Sequence, residues 1–133
     1  MRPSHSRLVG VLGLTVLLAA CAHSNGWIAD RLFCGRGIPG GGTVTDVEWA
    51  TFLAEVVTPR FPDGLTVWRA EGQWRDAAGA VQHEPVMVLE ILHHGDPAAR
   101  ASIEAIAREY RRRFRQEAVL RVTVPARAVF VTE

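Results

Sequence analysis

Two periods of apolar residues alternate along this chain. Trp49, Phe52, Leu53 and Val56 recur at i, i+3, i+4 and i+7, one face of a helix, and Thr45 and Glu48 stand at capping-box spacing ahead of them. Ile103, Ile106, Tyr110 and Phe114 form a second stripe, with Asp96 as cap and Pro97 in the first turn of a helix running to about Gln116. Elsewhere the period is two. Arg31 to Gly35 reads as a first strand, Leu65 to Arg75 as a second, Val81 to Leu92 as a third and Val119 to Val131 as a last, with Pro125 marking a bend, a bulge or an edge. In the third strand Met87, Leu89 and Ile91 point one way, and Val86, Val88 and Glu90 the other.

Breakers separate these elements. Gly35-Arg36-Gly37-Ile38-Pro39-Gly40-Gly41-Gly42 reads as a loop, Pro59 ends the first helix, Pro62-Asp63-Gly64 supplies a turn and Asp76-Ala77-Ala78-Gly79 a hairpin. The order β-α-β-β-α-β predicts an α+β, ferredoxin-like sandwich, a four-stranded antiparallel sheet with two helices on one face. The uncovered face carries Val86 and Val88. A homodimer through that open face is one expected mode of association.

The first twenty residues belong to a different pattern. An apolar run from Leu8 to Leu18 follows Arg2, His5 and Arg7 and closes on Leu18-Ala19-Ala20-Cys21, the layout of a bacterial lipoprotein signal peptide. The run is eleven residues long and interrupted by Gly10, Gly13 and Thr15, whereas about twenty are needed to span a bilayer. Cleavage without lipidation would also suit Ala19 and Ala20, but a cysteine directly after small residues favours acylation of Cys21. Residues 1–20 are thus read as the signal, 21–29 as a short tether and 30–133 as a single domain. Ala22 is not the aspartate that retains lipoproteins at the inner membrane, so the expected location is the envelope, on the outer membrane facing the periplasm.

Charge and cysteine content narrow the partners. All fifteen basic residues are arginine, and thirteen remain after the signal against fourteen acids, a balance that argues against nucleic acid. With Cys21 acylated, Cys34 has no intramolecular partner and is expected as a buried free thiol.

Several local patterns suggest chemistry without completing it. Gly35, Gly37 and Gly40 spell G-x-G-x-x-G, but the helix begins about five residues later and no lysine completes a phosphate loop, so no cofactor is expected. Loop amides ahead of a helix could still hold an anion. His83, His93 and His94 lack metal-ligand spacing, and no metal is expected. Arg111, Arg112, Arg113 and Arg115 read as a solvated helix face, with Glu104 and Arg108, and Glu109 and Arg113, at i, i+4 spacing. If that face binds, anionic headgroups or an envelope polymer are its natural targets.

The candidate polar site comprises Arg60 and Asp63, held in a turn between two prolines, with Trp74, Arg75 and Glu84. Counting back from the hairpin sets Arg75 opposite Glu84 as a cross-strand ion pair. A structural turn plus a surface salt bridge is one reading. A cleft with an arginine for an anion and a carboxylate to move a proton is the other.

The stretches Glu48-Trp49 through Phe52-Leu53, Val57 to Val67, Gly72 to Arg75, Glu84-Pro85 and Tyr110 to Val122 resemble the bacterial family catalogued as domain of unknown function 3574. The likeness covers about Leu32 to Phe130. It implies a small exported protein or lipoprotein and no assigned activity. Cys34 departs from the aromatic residue expected there. The leading functional expectation is a lipid-anchored envelope domain that binds a protein, polymer or small anionic ligand rather than catalysing. The alternatives are a small periplasmic enzyme acting on an anionic molecule through the arginine and carboxylate residues above, or a structural envelope component.

Overall fold

A computed structural model describes residues 26–133, so the signal segment and Cys21 lie outside the described residues. The elements follow the expected order: β1 (Trp27–Gly35), α1 (Asp46–Phe52), β2 (Thr66–Arg75), β3 (Val81–His93), α2 (Pro97–Phe114) and β4 (Leu120–Ala126). The strands form one sheet in the order β2-β3-β1-β4, every pairing antiparallel, and both helices lie on one face. This is the α+β, ferredoxin-like sandwich.

The alternation along the strands decides which face is covered. Leu32 and Cys34 of β1 stand opposite Leu89 and Met87 of β3, and all four sink into the core beneath the helices. The expected helical stripes meet them: Trp49, Phe52 and Val56 from one side, Ile103, Ile106, Tyr110 and Phe114 from the other. Tyr110 is the hub, 5.1 Å from the Phe52 ring and 4.8 Å from Phe114 between centroids. Aromatic pairs at such spacing add about 0.5–1.5 kcal/mol beyond their buried area.

Both helix starts follow the sequence closely. The Thr45 hydroxyl accepts from the Glu48 amide, and Glu48 accepts from the Thr45 amide in return. Asp96 accepts from the Ala99 amide at the head of α2. That helix ends at Arg115, which takes the left-handed conformation at φ 52°.

Three boundaries differ from the pattern reading. β1 starts at Trp27, so Trp27 to Ala29, read as the end of the tether, are strand, with Ile28 and Ala29 paired on both sides. The polar Asp30 hid this continuation, because its partners come from β3 and β4. β4 stops at Ala126, one residue past Pro125, rather than reaching Val131; β4 is an edge strand, where proline is tolerated. Finally, α1 does not run to Pro59 as one regular helix. Its continuation, Leu53–Val57, is a π-helical turn closed by the Thr58 amide on the Leu53 carbonyl at 2.9 Å, and the wider turn brings the adjacent Val56 and Val57 both into the core.

Candidate functional site

Polar groups gather at the two ends of the sheet. At the end where β1 finishes, the Glu84 carboxylate accepts from the Gly37 amide at 2.7 Å and from the Trp74 indole N–H at 2.8 Å. It lies so close to β1 that a Cβ on Gly35 would fall 2.5 Å from Glu84 Oε1, and one on Gly37 2.9 Å from Oε2. A side chain at Gly35 or Gly37 would have to displace the Glu84 carboxylate. The Tyr110 hydroxyl donates to the Gly35 carbonyl at 2.8 Å, and Gln116 donates to that of Gly37 at 2.7 Å. Burial pushes the Tyr110 phenol well above its ordinary range, which fixes it as a donor.

The glycine-rich loop is thus occupied by the chain itself. The Ile38 and Gly41 amides bond to loop carbonyls, and the anion that the Gly37 amide holds is the Glu84 side chain. Gly40, Gly41 and Gly42 all adopt positive φ, which side-chain-bearing residues resist. Arg36, buried beside the loop, donates to the Val44 carbonyl and pairs with Asp46 at 2.9 Å, tying the loop to the first turn of α1.

At the opposite end, Asp30 is fully buried on the covered face and is surrounded by donors. Arg121 grips it through two parallel bonds of 2.7 and 2.8 Å, Thr123 donates its hydroxyl and His93 Nε2 lies 2.8 Å away. Burial alone would raise the carboxyl, but the bonds from Arg121, Thr123 and His93, with the Arg121 charge, outweigh it and hold Asp30 at about 2. His93 Nδ1 accepts from the Gly95 amide at 2.9 Å, so the ring hydrogen sits on Nε2 and points at Asp30. Beside this group is an open depression of about 410 Å³ lined by Ile28, His93, Arg100, Arg121 and Thr123.

The five residues expected as one polar site do not assemble. Arg75 stands opposite Val81, and Glu84 opposite Gly72, so the expected Arg75–Glu84 ion pair does not form. One is an odd and one an even position of the hairpin ladder, so their side chains leave opposite faces of the sheet. Arg75 instead donates to the Gly79 carbonyl at 2.6 Å. Arg60 and Asp63 lie before β2, whose nine residue steps put about 30 Å of strand between them and Arg75. Arg60 donates to the Val56 carbonyl at 2.6 Å and borders a cleft with Glu55, Arg108, Glu109 and Arg112; Asp63 is exposed in its turn. Only Trp74 and Glu84 come together. Among the described residues no group of three His, Cys, Asp or Glu is placed to hold a metal ion.

A family model described as "Protein of unknown function (DUF3574)" matches residues 29–130. The chain belongs to this family. The shared region takes in both polar clusters, and the family description assigns no reaction. No curated protein matches this family member. Among solved structures it is similar to a phage SAM lyase in complex with S-methyl-5'-thioadenosine, at 18% identity and TM-score 0.63 over 76% of this chain and 81% of that one. A phage SAM lyase in its apo state matches at 17% identity and TM-score 0.59, over 90% and 87%. CutA from Synechococcus elongatus PCC7942 matches at 9% identity and TM-score 0.51, over 77% and 79%. At these identities the likeness is one of fold.

Sequence reasoning missed the Asp30 cluster. The signal was present in Asp30 itself, an aspartate at an inward position of an otherwise apolar strand, which must find partners or not be buried. Arg121 and Thr123 share that parity on β4.

Proposed function

We propose that this chain is an exported envelope domain held to the outer membrane by acyl chains on Cys21, and that it acts by binding. Its contact surface is the open face of the sheet, and the occupant is a second copy. The observation that carries this reading is that all four strands place apolar side chains on that face. Trp68 and Trp74 of β2, Leu92 of β3, and Leu120 and Val124 of β4 are exposed there, around a half-buried Phe33 on β1. Four strands some 4.8 Å apart and seven or more residues long outline a face of about 400–500 Å², with the exposed apolar groups around its margin; Val86 and Val88, expected on this face, are already buried beneath them.

Charge supports a second copy as the occupant. Near the middle of the face, Arg31 pairs with Glu90, so two copies meeting there bring no net like charge. Two anchors in one leaflet require both chain starts at the same end, which selects a two-fold axis running along the strands between β1 and β3. That operation lays β1 of one copy over β3 of the other. Arg31 and Glu90 are register partners, so Arg31 of each copy comes to lie over Glu90 of the other, and Trp68, level with Leu120 across the sheet, over Leu120.

The polar clusters support binding over catalysis. Asp30, His93 and Glu84 all direct their hydrogen-bonding groups at other parts of the chain, and the residues of the alternative enzymatic site stand at opposite ends of β2. The test is the mass in solution by light scattering of the full chain and of Trp68→Glu, with circular dichroism confirming that both fold. Twice the chain mass for the parent and a single mass for the variant is the expected result. A single mass for the parent at micromolar concentration overturns it.

A further inference from the structure

Apolar and aromatic groups crowd the end of the sheet where the chain enters the domain. Trp27, the first residue of β1, stacks on His94 with ring centroids 4.2 Å apart and meets the Phe130 ring edge-on at 6.2 Å. Phe130 is otherwise open: Val129, Phe130 and Val131 are 72%, 82% and 94% exposed, following the end of β4. Three such consecutive side chains gain nothing from water.

Next to them is a depression of about 550 Å³ bordered by Trp27, His94, Gly95, Arg100, Pro125 and Ala126. Two guanidinium groups belong to this end, Arg100 in the first turns of α2 and Arg127 just beyond β4. Both are exposed, and neither forms an ion pair or a side-chain hydrogen bond among the described residues; of the other arginines outside the ion pairs, Arg60, Arg75 and Arg111 donate to backbone carbonyls, and Arg115 lies at the far end of α2.

We propose that this end of the domain is a membrane-docking surface, in which Trp27 and residues 129–131 enter the boundary between headgroups and acyl chains while Arg100 and Arg127 take anionic headgroups. The proposal rests on the acylated Cys21 proposed above. Six residue steps separate Cys21 from Trp27, a reach of at most about 20 Å, so an anchor at Cys21 holds this end nearest the lipid. Tryptophan is favoured at that boundary, with an apolar body and a polar edge, and arginine supplies the charge complement to an anionic leaflet. Docking at this end stands the strands upright on the membrane and leaves the open face of the sheet free for a second copy.

The test uses the full chain as recovered from its host membrane, placed on vesicles of phosphatidylethanolamine and phosphatidylglycerol whose acyl chains carry bromine, a contact quencher of tryptophan. The chain has four tryptophans, Trp27, Trp49, Trp68 and Trp74. The expected result is partial quenching that falls several-fold in Trp27→Phe. Phe130→Ser, an exposed position whose change leaves the core intact, should also reduce it, and Arg100→Gln with Arg127→Gln should reduce it only where phosphatidylglycerol is present. Quenching that is the same in Trp27→Phe and the parent overturns the docking surface. Intact mass separates this from the anchor: an acylated chain with unquenched Trp27 keeps the anchor and sinks the docking, and an unacylated chain that still binds vesicles through Trp27 does the reverse.

Discussion

Glu84 and Gly35 occupy each other's space: the carboxylate of one lies where the side chain of any residue but glycine at the other would have to go, 2.5 Å from its Cβ position. Gly35→Ala must therefore displace Glu84 and strip the acceptor from the Trp74 indole and the Gly37 amide. The Gly37 amide is part-buried and the Trp74 indole lies at the surface, so water makes up part of the loss, and we expect Gly35→Ala to lose about 1 kcal/mol of stability. The measurement is the urea midpoint. In the double variant Gly35→Ala, Glu84→Ala no carboxylate remains to collide, so the loss should be smaller than the sum of the two single losses. Strict additivity would show that the contact is not the cause.

Asp30 gives the fold a defined dependence on acid. Its folded carboxyl, at about 2, lies below the ordinary 3.8, so the charged form is the one the native state favours. The stability this confers is complete above about pH 4 and is lost as pH falls through the folded value, at roughly 2 kcal/mol in all. Asp30→Asn leaves Arg121 without its counter-charge and should cost about 3 kcal/mol at neutral pH, with parent and variant converging near pH 2. Urea titrations in high salt, where exposed carboxylates are screened, give the comparison. A gap of equal size at both pH values would remove the ion pair as its source.

Cys34 should be chemically silent in the folded protein. It is buried in the core opposite Met87, and burial pushes its thiol far above the ordinary value, so no thiolate is offered to a reagent. An aromatic disulfide added at neutral pH should react with Cys34 only as fast as the chain opens. The rate should trail that in denaturant by the folded-to-unfolded ratio, on the order of 10³ or more. Immediate reaction in native buffer would place the thiol at the surface.

How far the sequence disclosed all this depended on whether a signal was local. The capping box at Thr45 and Glu48, the stripe of Ile103, Ile106, Tyr110 and Phe114, and the inward set Met87, Leu89 and Ile91 were legible because periodicity and caps act within a few residues. Register was not legible. Hairpin counting placed Arg75 against Glu84, but the ladder sets Glu84 against Gly72, and that slip joined two groups that never meet. The partners of Asp30 lie 63, 91 and 93 residues away, and no local rule reaches across that distance. The same holds for the glycines at 35 and 37: their spacing suggested a phosphate loop, while the space beside them is filled by a carboxylate 47 residues beyond Gly37.

The open face makes a prediction that charge exchange can decide. If two copies meet with Arg31 of each over Glu90 of the other, Arg31→Glu places acid over acid twice in its own dimer, and Glu90→Arg places base over base twice. Like charges set against each other across an interface cost several kcal/mol, so each variant alone should sediment as a monomer. Mixed together, they restore both pairs. The acidic copy then offers a carboxylate at both positions and the basic copy a guanidinium at both, so every contact across the two-fold joins opposite signs. Analytical ultracentrifugation of the two variants, singly and mixed, should therefore show dimer only in the mixture. The exchange also tests the axis itself, because a two-fold lying between the sheets but running across the strands would reverse their direction, part these residues and leave the mixture no more associated than its components.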